Sequence, residues 1–181
     1  MAKETAVLCA ALIGLLGAAH LAPAAEPAPA VPADLKAPAG ERAVLHAHAV
    51  GVQIYGCASG TDGTWQWTLK GPEADLRDAG GKLVIHHFAG PSWKHLDGSE
   101  VQGKAVAHAA APDASAIPWL LVTVVSRSGA GALADVTSIQ RINTKGGQPP
   151  AAACNAAAKD TESRSPYSAD YYFYAPAGAV H

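Results

Sequence analysis

The sequence predicts a mainly β protein, an antiparallel β-sandwich or small β-barrel of about seven or eight strands with one short helix. Three observations carry that expectation. Between residues 41 and 176 apolar and polar residues alternate in many short runs, the period of a strand with one covered face. Gly, Pro, Asp and Asn punctuate those runs at the close spacing of antiparallel turns. β-Branched and aromatic residues collect inside the runs, where a pleated, half-buried surface suits them.

The elements follow in order. In "RAVLHAHAV" Val44, His46, His48 and Val50 share one face and Leu45, Ala47 and Ala49 the other. Gly51 can host a bend before "VQIYGC", where Val52 and Ile54 oppose Gln53, Tyr55 and Cys57. "TWQWTL" puts Trp65, Trp67 and Leu69 on one face. "GPEADLRDAGG" has turn residues at both ends and reads as a solvated acidic loop with at most one helical turn. "KLVIHHF" and "SEVQGKAVAHA" read as strands joined by the corner "HHFAGPSWKHLDGS". In that corner Gly90-Pro91 marks a turn, and Asp97-Gly98 is a two-residue connection that needs positive φ.

"IPWLLVTVVS" is a continuous apolar run, expected to be buried on both sides at the centre of the core. "ADVTSIQRINT" alternates again, with Ile139, Arg141 and Asn143 opposite Val136, Ser138, Gln140 and Ile142. After the turn "KGGQPP", the alanine-rich "AAACNAAAKD" predicts a short helix carrying Cys154. The last strand, "SADYYFYA", directs Tyr171 and Phe173 one way and Asp170, Tyr172 and Tyr174 the other.

Four regions result: a signal peptide over 1–25, a disordered Pro/Ala-rich linker over 26–40, a β domain over 41–176 and a tail over 177–181. Lys3, the apolar run Ala6 to Ala19 and the small residues Ala22-Pro23-Ala24 carry the first of these. A retained anchor is the alternative, but the run is short for a bilayer, so no stable membrane span is expected after cleavage. The expected location is outside the cytosol, periplasmic or extracellular. Cys9 leaves with the leader, and the remaining Cys57 and Cys154 are expected to form one disulfide, two buried free thiols being the alternative. With 13 basic against 15 acidic residues and no basic run, nucleic acid is excluded as a partner.

Candidate chemistry is sparse. His46 and His48 stand at a spacing that could grip a metal, yet no Cys or carboxylate joins them at ligand spacing, and neither metal nor cofactor is expected. The corner holds His87, Trp93, His95, Asp97 and Ser99, which include the residue types of a hydrolytic triad. No G-x-S-x-G elbow is present, so no catalytic residue is assigned and a His-Asp hydrogen bond fixing the corner is the expectation. Glu73, Asp75 and Asp78 have nothing to place them across a cleft.

Eight motifs, "GVQIYGC" (51–57), "PEADL" (72–76), "HFAGPSW" (87–93), "DGSEVQG" (97–103), "IPWLLV" (117–122), "IQRINTKGGQPP" (139–150), Cys154 and "YSADYYFY" (167–174), together resemble one family. It is the exported bacterial and fungal family of domain of unknown function 3455, and the resemblance covers nearly all of residues 44–175 in order. It implies no established activity. Fungal members carry a malate dehydrogenase label, which this sequence does not support, since it has no strand-G-x-G-x-x-G-helix unit. The motif positions include polar and ring residues that a bare scaffold does not need: Gln53, Tyr55, His87, Trp93, Asp97, Gln140, Arg141 and Asn143. If the faces carrying Gln53 with Tyr55 and Arg141 with Asn143 meet, they form a polar pocket floor beneath Trp93. Binding is therefore expected at Gln53, Tyr55, His87, Trp93, Asp97, Arg141 and Asn143.

The function expected is non-catalytic binding of a small ligand, such as a sugar or other polar metabolite, or of a partner at the cell envelope. A hydrolase or isomerase using His87 with Asp97 is one alternative. It requires those side chains within hydrogen-bond reach in a pocket. A structural or stress protein of the envelope is the other, and it requires no pocket and an Arg141 satisfied by carboxylates.

Overall fold

The computed structural model describes residues 27–179, so the expected leader and Cys9 lie outside the described residues. The eight strands are β1 (Glu41–Ser59), β2 (Trp65–Arg77), β3 (Leu83–Phe88), β4 (Ser92–His95), β5 (Glu100–Ala109), β6 (Trp119–Ser128), β7 (Ser138–Gly146) and β8 (Glu162–Pro176). Each pairs antiparallel with the next, and β8 returns to β1, closing a barrel. Of the two architectures expected, the barrel is the one formed. Closure leaves no unpaired sheet edge, and eight strands enclose an interior that side chains either fill or shape around one small ligand.

The long β1 makes the closure. It pairs with β8 from Glu41↔Pro176 to Gly56↔Glu162 and with β2 from His48↔Arg77 to Ser59↔Trp65. The alternation read from the sequence holds: Ala47, Ala49, Gln53, Tyr55 and Cys57 are buried. Register breaks curve the sheet at Ile54/Tyr55, Ala105/Ala107 and Ile142/Lys145. Such irregularities strengthen local twist and occur at barrel rims. Gly103 sits where a Cβ would lie 2.4 Å from Val122 Cγ1 and 3.2 Å from the Trp93 ring, so only glycine lets that indole cross β5.

Four expectations change. The helix at Cys154 is a single 3-10 turn, Ala156–Ala158, capped by the Asn155 side chain. The acidic stretch from Gly71 to Arg77 is not a loop, because β2 runs through it with Glu73 and Asp75 facing outward. β6 is not doubly buried: only Val122 is buried, and Val125 is 58% exposed. Its continuous apolar run supplies one wall and then projects past the core. Within the stretch expected as a disordered linker, Ala33–Leu35 forms a 3-10 turn packed against β5 and β6. Leu35 is fully buried there, and its carbonyl accepts from Gln140 Nε2 at 2.5 Å.

One end of the barrel is filled by Leu76, Ile85, Val101, Ile139 and Phe173, with Leu133 and Val136 from the β6–β7 connection inserted among them. Cys57 and Cys154, 97 residues apart, are joined by a 2.02 Å disulfide that ties β1 to the segment before β8. Among the described residues no helix is long and apolar enough to cross a membrane.

Candidate functional site

The other end of the barrel holds a cavity of about 330 Å³, at the small end of the range for ligand pockets. Gln53 of β1, His87 of β3, Trp93 of β4, Arg141 of β7 and Tyr171 of β8 form its polar and aromatic lining. Leu69, Pro72, Pro91, Leu120 and Val122 supply apolar wall. Inward alternation on five strands brings the five polar and aromatic residues together, since positions two apart on a strand share a face. The bulge opposite Ile54/Tyr55 displaces Lys70 and Gly71 (φ 153°) and sets them on the cavity wall.

The aromatic lining is stacked. His87 lies flat on Trp93, with ring centroids 4.4 Å apart and planes 8° apart, and Tyr171 meets both edge-on. Trp93 in turn abuts Phe173 of the filled end. His87 Nδ1–H donates to the Ser92 carbonyl at 2.8 Å, across the β3–β4 pair. A carbonyl only accepts, so Nδ1 carries the proton and Nε2 carries a lone pair. Burial pushes the His87 pKa down to about 3, the Ser92 carbonyl opposes the shift, and the nearby Arg141 charge adds to it. His87 is therefore neutral at physiological pH.

Three buried N–H donors of the lining have no acceptor: Gln53 Nε2, Trp93 Nε1 and Arg141 Nε. Gln53 and Trp93 are each 2% exposed. Such groups cost about 1–3 kcal/mol apiece when left unmade. Arg141 Nη2 donates to the Pro118 carbonyl at 2.8 Å. None of the ion pairs among the described residues includes Arg141. Its charge is felt by Tyr55, Tyr167 and Tyr171, whose hydroxyls burial pushes to higher pKa and Arg141 pulls back.

Four of the seven expected site residues thus share the cavity: Gln53, His87, Trp93 and Arg141. Three do not. Tyr55 points inward, but its hydroxyl donates to the Gly147 carbonyl at 2.7 Å, tying β1 to the β7–β8 connection. Asn143 does not share the Arg141 face. It has φ 51° at the Ile142/Lys145 register break, is exposed, and donates to Asp170 Oδ2. A shift of one residue exchanges the faces of a strand, and this break does so.

Asp97 belongs to the filled end. Its Oδ1 accepts from Ser99 N and Ser99 Oγ, and its Oδ2 accepts from Ala132 N at 2.7 Å, with His95 Nδ1 2.9 Å away. Ser99 Oγ then accepts from Leu133 N. The pair forms a latch that fixes the Leu133 plug. Burial works against the Asp97 carboxylate, but the hydrogen bonds from Ser99 and Ala132 outweigh it and hold its pKa well below the usual range. The histidine at the corner is therefore His95, whose Nδ1 accepts from the Asp97 backbone N–H at 3.1 Å and lies 2.9 Å from Asp97 Oδ2. His87 has Ser92 as its partner, so the geometry required for hydrolysis by a His87–Asp97 pair is not formed. The structural-protein alternative also misses its requirements, since a pocket exists and the Arg141 partner is a carbonyl.

His46 and His48 share an outward face, as expected, and both approach Asp170 Oδ1, at 3.8 Å and 2.7 Å. Among the described residues no group of three or more His, Cys, Asp or Glu is arranged to hold a metal. A second depression of about 430 Å³ lies outside the barrel against Glu73, Asp75, His86 and Arg164. Its charges are already paired, Arg164 with Glu73 at 2.8 Å and His86 with Asp75 at 2.9 Å. Of the two, the interior cavity is the one whose lining residues include unpaired donors.

Sequence reasoning left out Tyr171, Lys70 and the apolar wall. Tyr171 was placed correctly on the Phe173 face, and that inward position was the available signal. For Lys70 the signal was weak, because it depends on a bulge. No match to the chain was found among the curated proteins or the solved structures. The family model described as Protein of unknown function (DUF3455) matches residues 38–175, and the chain belongs to that family.

Proposed function

We propose that this is a non-catalytic binding domain that takes one small ligand into the open end of its barrel. The observation that carries the reading is a cavity at the open end of the barrel lined by Gln53, Trp93 and Arg141, each of which also carries a buried N–H group with no protein acceptor. Buried donors are ordinarily paired, and a bound molecule is the simplest acceptor for three of them at once. The neutral His87, stacked on Trp93 and met edge-on by Tyr171, supports positioning of a ligand, since it lacks the carboxylate partner that would make it a strong base. The Cys57–Cys154 bridge supports an exported location, periplasmic or extracellular. The outward polar positions Glu73, Asp75, Lys104 and Asp170 suit water around the barrel in place of lipid.

A thermal-shift screen tests the reading with sugars, amino acids, nucleosides and small organic acids at millimolar concentration. Ligand at a hundred times its dissociation constant stabilises by about 2.7 kcal/mol, a rise of several degrees for a domain of this size. At least one class is expected to give such a rise. No stabilisation from any class contradicts the proposal.

A further inference from the structure

We infer that the ligand is a small monocarboxylate with an uncharged, mostly apolar body, its carboxylate held at Arg141. The inference rests on reading the cavity as a binding site and names what would fill it.

Charge is the first argument. Arg141 is the cation whose charge reaches the cavity, since the exposed Lys70 side chain lies over Gly56, and no Asp or Glu lines it. His87 adds no charge at neutral pH. Arg141 thus brings a cation to a partly buried position where its partners, the Pro118 carbonyl and the Tyr171 hydroxyl, are both neutral. Partly buried charges are ordinarily compensated, and the compensating anion is absent from the protein's own side chains.

Hydrogen-bond chemistry is the second. Among the lining residues three donors lack an acceptor, an amide N–H, an indole N–H and a guanidinium N–H, against the one lone pair of His87 Nε2. A carboxylate accepts through two oxygens with about four lone-pair sites and donates nothing, which matches an excess of donors. A sugar hydroxyl brings a donor with every acceptor, and several of them bring more protons than the His87 Nε2 lone pair can take. The remaining wall decides the body of the ligand. Leu69, Pro91, Leu120 and Val122 offer no hydrogen bonds and favour an apolar group of ring size. A phosphate, with two charges and no apolar part, would meet one buried cation and this wall.

The chain has four tryptophans, so the indole N–H region of a nitrogen-proton correlation spectrum has room for a signal from each. The test titrates benzoate and its neutral counterpart benzamide into the full chain at pH 7, following the Trp93 indole signal. Benzoate is expected to shift it and to bind at least tenfold more tightly than benzamide. Arg141→Gln is expected to remove that preference while leaving benzamide binding in place, and Arg141→Lys to keep part of it. Equal affinity of the two probes for the unsubstituted protein overturns the inference but leaves the cavity as a binding site. That comparison stands even if the variants do not fold. Absence of any shift with both probes also overturns the inference, and the broader screen then decides whether the binding reading falls with it.

Discussion

At one end of the barrel Leu133, Val136 and Phe173 meet with no exposed surface, whereas at the other Gln53, Trp93 and Arg141 carry buried N–H groups that no protein atom accepts. Both ends draw on the same strands. Along β7, Ile139 serves the filled end and Arg141, two residues on, serves the open one. At the filled end each local rule agrees with the next: apolar residues point inward, and Asp97 and Ser99 satisfy the backbone of the loop they hold. At the open end the rules conflict, and a fold that is consistent elsewhere tolerates the conflict where it has a use. The difference teaches that close packing and unpaired polar groups are placed in separate halves of one small domain.

The largest expected effect lies in the filled half. Leu133→Ala should cost about 2–5 kcal/mol, read as a drop in the urea midpoint, because Leu133 is fully buried and its loop would be left around a void. Next comes the latch. Asp97→Ala removes the acceptor for Ser99 and Ala132 and should cost about 2–3 kcal/mol. If instead Asp97→Ala abolished ligand binding and left the urea midpoint unchanged, the assignment of Asp97 to the filled half would be wrong.

His87 sharpens the contrast through pH. The unfolded chain takes up its proton near pH 6.5, while the folded protein refuses it until about pH 3. Between those values the unfolded state binds more protons, so stability falls as pH falls, by up to about 1.4 kcal/mol per pH unit. Melting temperatures measured from pH 7 to pH 4 should show this slope in the unsubstituted protein and a shallower one in His87→Phe. Equal slopes would mean that His87 is solvated.

Much of this arrangement was legible in the sequence. Gln53, His87, Trp93 and Arg141 stood out through the family resemblance, as polar or ring residues that a bare scaffold does not need, and all four line the cavity. Asn143 was misplaced because a positive φ and a register break reverse its face; asparagine tolerates positive φ, but the alternating pattern carries no sign of the break. The role of Asp97 was hidden for another reason. Its partner Ala132 lies 35 residues away in sequence, and local pattern carries no information on which loop lands on a hairpin turn. The apolar run of β6 was read as doubly buried, yet one of its ends outruns the core, so composition overstated its burial. The stretch holding Leu35 looked too poor in apolar residues to order itself, and one buried leucine with a hydrogen bond from Gln140 is what positions it.

The smallest expected change is also the most telling. In the double variant Gln53→Leu with Arg141→Met, two groups with unmet hydrogen bonds give way to apolar ones of similar reach, an exchange that is ordinarily neutral or stabilising. The urea midpoint without ligand is the measurement. It should equal or exceed that of the unsubstituted protein if these residues serve a ligand, and a loss of more than about 2 kcal/mol would show that they hold the barrel together instead.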